Sequence, residues 1–381
     1  MAKLQLANKL ARSRISDLRD HDALRGNLTR SAIVQALYNY YGADERDDGE
    51  SMRFYRAGCE GEDIPLSILA RPEWLDLRCQ LSYETDRFRL SSTSIDDSLQ
   101  IDALDAERAV RRLVEAVALD VTLVNSPLYR IKEYSIHRGQ LSGLLSVVPF
   151  VQYALTTDLL ELELIDQLVA GRGDPGLPMR DKYLPNLESI SDVSGRFCSG
   201  GVLALCAIAR PSDVHRGPAD FVLITQERGR QVLNGVGRLS VIPRGFHQPL
   251  TDYRGDTSIG ATLRRELEEE LFHRTDVDNT VSEELLADPM HPSRLSEPMR
   301  WLLSSPDKAR FECTAFGFNT LNGNFEVACL VVIDDPEFWE RFGGQIEANW
   351  ESTGLRQHST RDMAGIRDLL REETWSSEGL F

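Results

Sequence analysis

Arg265-Glu266-Leu267-Glu268-Glu269-Glu270 is the stretch where charged groups gather at a spacing that chemistry needs. On a helix, residues three and four apart share a face. Glu266 then stands beside Glu269 and Glu270, and Arg265 beside Glu269. Leu263, Leu267 and Leu271 recur at every fourth position and mark the face that a core would cover. Three carboxylates on one strip repel one another unless a cation lies among them. Hard divalent ions, Mg²⁺ above all, take oxygen ligands in this way and bridge to substrate phosphates. The competing reading is a solvated acidic helix face, and the surroundings of the string must decide between them.

The string resembles the core of the Nudix box, G-x5-E-x7-R-E-U-x-E-E-x-G-U with U apolar. Arg265, Glu266, Leu267, Glu269 and Glu270 fit that pattern. Phe272 stands where the pattern has its second Gly, and His273 where it has an apolar residue. Gly245, in Val241-Ile242-Pro243-Arg244-Gly245, looks like the Gly of the P-x-G entry loop. Twenty positions separate Gly245 from Arg265, against fourteen in the pattern, and Thr257 occupies the place of the early Glu. Asp252 or Asp256 is the candidate substitute.

The resemblance implies an α/β protein whose C-terminal half is a Nudix-like α/β/α sandwich around a mixed sheet. It implies a hydrolase of a nucleoside diphosphate linked to another group, with Mg²⁺ or Mn²⁺ held by Glu266, Glu269 and Glu270. Arg265 would pair with a box carboxylate and hold its geometry. Gly245 would shape the loop that feeds the helix, and Arg244 and His247 in that loop are candidates to meet a phosphate. Phe272 cannot take a positive φ cheaply, so the helix is expected to run on to about Arg274, with His273 and Arg274 favouring its C-terminal dipole. The lost Gly, the stretched loop and a large region without catalytic motifs leave a second reading open. In it, the fold senses a nucleotide-like ligand and another domain reports it. An unrelated α/β domain with an acidic helix is the third.

Composition narrows the partners. The chain has 381 residues, 41% of them hydrophobic and 27% charged, ordinary for a globular protein. A net charge of −17 argues against general nucleic-acid binding, which needs a basic surface to release counterions, and against adhesion to anionic membranes. The six Cys are scattered without a C-x-x-C pair, so reduced thiols are expected. The N-terminal residues show no signal peptide, and the most apolar window, 141–155, is too short to span a bilayer. A cytoplasmic location is the expectation, and a homodimer is left open.

Three regions follow from the pattern along the chain. Residues 1–170 read as one mainly helical domain with a small β element. Its helices are expected near 33–41, over 105–119 with Ala106, Ala109, Val110, Leu113 and Val117 inward, and over 141–155 and 158–169. Short strands are expected at 121–124 and 129–134. Residues 171–190, rich in Gly and Pro, read as a linker. Residues 191–381 read as the Nudix-like domain. Its expected strands lie at 201–210, 221–225, 231–234 and 239–242. The hairpin 310–334 turns at Asn322-Gly323, an edge strand is expected at 346–351, and a final helix spans 360–370.

Overall fold

The computed structural model describes residues 18–42, 52–59, 61–95, 103–121, 124–171, 176–274 and 287–381. Thirteen strands follow in order among them: β1 (Arg53–Cys59), β2 (Glu62–Ala70), β3 (Leu75–Gln80), β4 (Asp86–Ile95), β5 (Pro127–His137), β6 (Gln140–Pro149), β7 (Gly200–Arg210), β8 (Asp220–Arg228), β9 (Leu239–Val241), β10 (Arg244–Phe246), β11 (Arg310–Asn319), β12 (Phe325–Ile333) and β13 (Ser352–Ser359). The large sheet runs β1-β2-β11-β12-β7-β8-β13, with β3 beside β11, β10 beside β7 and β9 beside β8. Its centre is the parallel pair β12–β7, and its other pairs are antiparallel. A second sheet, β4-β6-β5, is also mixed. The protein is therefore α/β with a mixed sheet.

β7 shows why the centre holds. Its side chains alternate between faces, and both faces are covered, so the run is apolar throughout. Val202, Ala204, Cys206 and Ile208 join the cluster that contains Leu263, Leu267 and Leu271 of the acidic helix. Leu203 and Leu205 join Leu369 and Trp375 on the other side. The acidic helix thus packs on one face of β7 and the helix Met363–Arg371 on the other. The hairpin turns at Asn322-Gly323 as expected. Gly323 adopts φ 80° and donates to the Asn319 carbonyl at 2.7 Å.

The mainly helical reading of residues 1–170 is corrected. Six strands lie before residue 150, and β2 and β3 pair with β11 in the large sheet. The apolar window 141–155 is β6 followed by the short helix Phe150–Ala154. An apolar run of this length suits a buried helix or a buried strand, and packing chose the strand. Gly143 marks the choice: a Cβ there would lie 2.4 Å from the Glu133 carbonyl oxygen and 2.7 Å from the Phe88 ring.

The helix Ala103–Ala118 forms as expected but is rotated, keeping Ala109 inward and leaving Val110, Leu113 and Val117 exposed. Ala109, Arg112, Glu115 and Ala116 are buried, while Val110 and Val117 are 61% and 79% exposed. Arg112 meets Asp158 at 2.8 Å and Glu115 meets Arg25 at 3.1 Å. These buried pairs fix the rotation of the helix.

The described part of the expected linker forms the short helices Pro178–Tyr183 and Leu187–Ser191. Arg180 there is fully buried and donates to the carbonyls of Leu160, Thr320 and Leu321. The expected strand at 231–234 is a turn, and its place beside β8 is taken by β9. The edge strand is β13 rather than 346–351. The expected strand at 121–124 lies partly outside the described residues. Among the described residues, no helix is long and apolar enough to cross a membrane.

Candidate functional site

The acidic helix spans Ile259–Glu270, and the Ser258 hydroxyl caps it by accepting from Ala261 N. Leu263 and Leu267 anchor it in the core. Arg265, Glu266, Glu269 and Glu270 are all buried too, so this is not a solvated face. The helix stops earlier than Arg274. Phe272 leaves it to form a bridge with Glu347 and to pack on Phe338. His273 then takes φ 54°, which places the left-handed turn one residue beyond the Gly of the box pattern. Arg274 folds back, donating from its backbone N–H to the Glu268 carbonyl at 3.3 Å and from Nη1 to the Glu268 carboxylate at 3.1 Å. Glu268 is a positioning residue. It is fully buried and accepts from Ser296 N and Oγ, each at 2.6 Å, at the start of the helix Glu297–Leu303.

Two carboxylates of the acidic helix converge on β10. Glu270 Oε2 accepts from the Arg244 backbone N–H at 2.6 Å. Glu266 lies directly over Gly245, where a Cβ would sit 2.1 Å from its Cδ. Arg265 braces this arrangement, donating from Nη2 to Glu266 Oε1 at 2.8 Å and from Nη1 to the Gln248 carbonyl at 2.9 Å. Burial, with Glu351 and Glu266 nearby, pushes the Glu270 carboxyl well above its ordinary range, opposed by the Arg244 N–H and by Arg228. Glu270 Oε1 has no hydrogen-bond partner among the described residues. Glu351, which nothing in the sequence singled out, is thereby the neighbouring carboxylate of the box. It pairs with Arg228 at 3.2 Å.

The loop residues divide. Arg244 reaches the site, but its guanidinium already donates to Ser240 Oγ at 2.9 Å and to Glu378 at 3.3 Å. His247 does not reach it. It is 1% exposed, with Nδ1 on Thr262 Oγ1 at 2.8 Å and Nε2 on the Thr257 carbonyl at 3.1 Å. Burial and the nearby Arg265 lower its pKa to about 3. It is a neutral core histidine, and its assignment to a phosphate is withdrawn. Asp252 and Asp256 accept from Arg254 N at 3.0 Å and Leu250 N at 2.9 Å, so they hold the stretched loop.

Beside β10 lies a cavity of about 340 Å³. Gly245, Arg244, Glu266 and Glu351 line one part, and Glu161, Glu326 and Glu378 another. Arg112, Tyr153 and Glu161 bring the first half of the chain into its wall. Glu269 and Glu270 are not among the wall residues. Among the described residues, no three Asp, Glu, His or Cys side chains are gathered as a ready-made metal cage. The carboxylates of Glu266 and Glu351 near Glu270 are hard oxygen donors that suit a divalent ion, as does the unpartnered Glu270 oxygen. Neither a protein-family model nor a curated protein matches this chain.

Proposed function

We propose that the protein is a Nudix-type hydrolase that cleaves a nucleoside diphosphate derivative in this cavity with Mg²⁺ or Mn²⁺. The observation that carries the reading is the convergence of Glu266 and Glu270 on Arg244-Gly245. It leaves a buried carboxylate oxygen unpartnered beside a further carboxylate, Glu351. Buried like charges are costly without a counter-ion. Helices on both faces of the mixed sheet, and the acidic helix after β10, agree with a Nudix-like sandwich.

Glu266, Glu269 and Glu270 would hold the metal, with Glu351 as a fourth oxygen donor. The metal would neutralise phosphate charge and lower the pKa of a bound water. The chain's own residues set the geometry. Arg265 fixes the Glu266 carboxylate, Gly245 leaves the room it occupies, and the Arg244 N–H fixes Glu270. Water attacks a phosphorus of the diphosphate, and the bond to the leaving phosphate oxygen breaks.

A second reading rests on Glu269 and Glu270 standing off the cavity wall. In it, the cavity binds a nucleotide-like ligand without cleaving it. The test is nucleotide-product release from a panel of nucleoside diphosphate derivatives with Mg²⁺ or Mn²⁺, wild type beside Glu269→Gln and Glu270→Gln. Metal-dependent turnover lost in both variants supports the hydrolase. A derivative that raises the melting temperature without being cleaved supports the sensor, and neither turnover nor stabilisation rejects both.

A further inference from the structure

The far wall of the cavity, away from the box, has a different chemistry. Glu161 lies on the helix Thr157–Ala170 and Glu326 on β12, and both face the cavity. Glu161 Oε2 accepts from Asn322 Nδ2 at 3.1 Å. Glu326 is 5% exposed, with Asn319 as its hydrogen-bonding neighbour. Neither has an ion-pair partner among the described residues. Arg112 pairs with Asp158 and Arg244 with Glu378 on the same wall, and Arg238, which donates to the Leu28 carbonyl, lies near Glu161 and Glu378.

Two further observations point to a ligand. Asn324 is 5% exposed and lines the same wall, and its Oδ1 has no hydrogen-bond partner among the described residues. Beside it stand three aromatic rings, Phe150, Tyr153 and Phe246, with Tyr153 centred 5.6 Å from Phe150 and 4.7 Å from Phe246. All three line the cavity.

We propose that this wall, formed by Glu161, Glu326, Asn324 and the Tyr153 ring, binds an organic ammonium group. Acid side chains that make no direct ion pair, a spare carbonyl acceptor and aromatic rings are what such a group needs. A phosphate would be repelled here. Burial, with Asp158 and Glu378 near, pushes the Glu161 carboxyl up to about 7, opposed by the Asn322 hydrogen bond and by Arg112. The inference goes beyond hydrolysis and needs only the cavity.

The test is calorimetric titration of the whole protein with 1,4-diaminobutane and with tetramethylammonium, at pH 8 and without nucleotide. 1,4-Butanediol serves as the uncharged isostere, and KCl and MgCl₂ at equal ionic strength as plain cations. The expected result is saturable binding of an amine but not of the diol or the salts. Glu161→Gln and Glu326→Gln should each weaken it tenfold or more. Absence of amine binding, equal binding of the diol, equal binding of K⁺ or Mg²⁺, or an unchanged affinity in both variants overturns the proposal. If a variant fails to fold, the amine-against-diol comparison on the wild type still decides. Turnover of nucleotides that carry no amine is read separately, so the two readings fail independently.

Discussion

Gly245→Ala is the substitution whose effect the structure specifies most closely. The added methyl would sit 2.1 Å from Glu266 Cδ and 2.2 and 2.4 Å from its carboxylate oxygens. Carbon atoms need about 3.5 Å, so the carboxylate must retreat by roughly 1.4 Å. The Arg265–Glu266 contact, now 2.8 Å, cannot survive that retreat at hydrogen-bond distance. A charge-assisted bond in a buried site is worth about 2 kcal/mol. The expected cost is therefore about 2 kcal/mol, or a fall of about 2.5 °C in melting temperature for a chain of this size. If the site hydrolyses a diphosphate, a misplacement of this order also lowers kcat about 100-fold. Glu266→Ala supplies the control. With no carboxylate to strike, the methyl at position 245 should cost under about 0.5 kcal/mol, and the double-mutant cycle should return nearly the whole penalty as coupling. Additive costs for the two changes would refute the collision account, as would a Gly245→Ala protein as stable as the wild type.

Three other outcomes can be checked by unfolding measurements. His247 is held neutral, with its folded pKa near 3 against about 6.5 when unfolded. Its contribution is complete above pH 6.5 and is lost as the pH falls towards 3, by about 1.4 kcal/mol per pH unit. Wild type should lose about 2 kcal/mol more than His247→Gln between pH 6.5 and 5, and equal losses would contradict this. Arg112→Met should cost about 3–5 kcal/mol in urea because Asp158, fully buried, is left without its cation. Arg112→Met with Asp158→Leu should recover much of that loss, and no recovery would mean the pair is not what the mutation breaks. His273→Gly should stabilise by about 1 kcal/mol, since His273 is exposed and holds φ 54°. A lower melting temperature would show that the ring makes a contact of its own.

What the sequence disclosed depended on whether one element could settle the matter alone. The acidic helix was legible because Leu263, Leu267 and Leu271 repeat with the helical period, and the turn at Asn322-Gly323 because its residues permit the geometry it needs. The helix Ala103–Ala118 was legible as a helix but not in its orientation. Val110 and Val117 looked inward until Arg112 and Glu115 found buried partners on other elements. β6 was misread because an apolar run does not say whether a sheet or a helix will bury it. His247 looked like a loop residue, and only the fold brought Thr262 and Thr257 to its two nitrogens. Glu161, Glu326, Glu351 and Glu378 carry no local pattern, and the cavity assembles them from distant parts of the chain.

The pairing of β2 and β3 with β11 bears on how the chain can be made and handled. Leu69 lies opposite Phe318, and Cys79 opposite Cys313, so the sheet closes only after most of the polypeptide has left the ribosome. Arg30 and Ser31 add hydrogen bonds to Glu373 near the other end. A fragment beginning near residue 191 would leave β11 as a bare edge flanked by Phe316 and Phe318, open to pairing with other copies. Such a fragment should collect in inclusion bodies. Co-expression with residues 1–190 should return it to solution, as two pieces that rebuild one sheet between them.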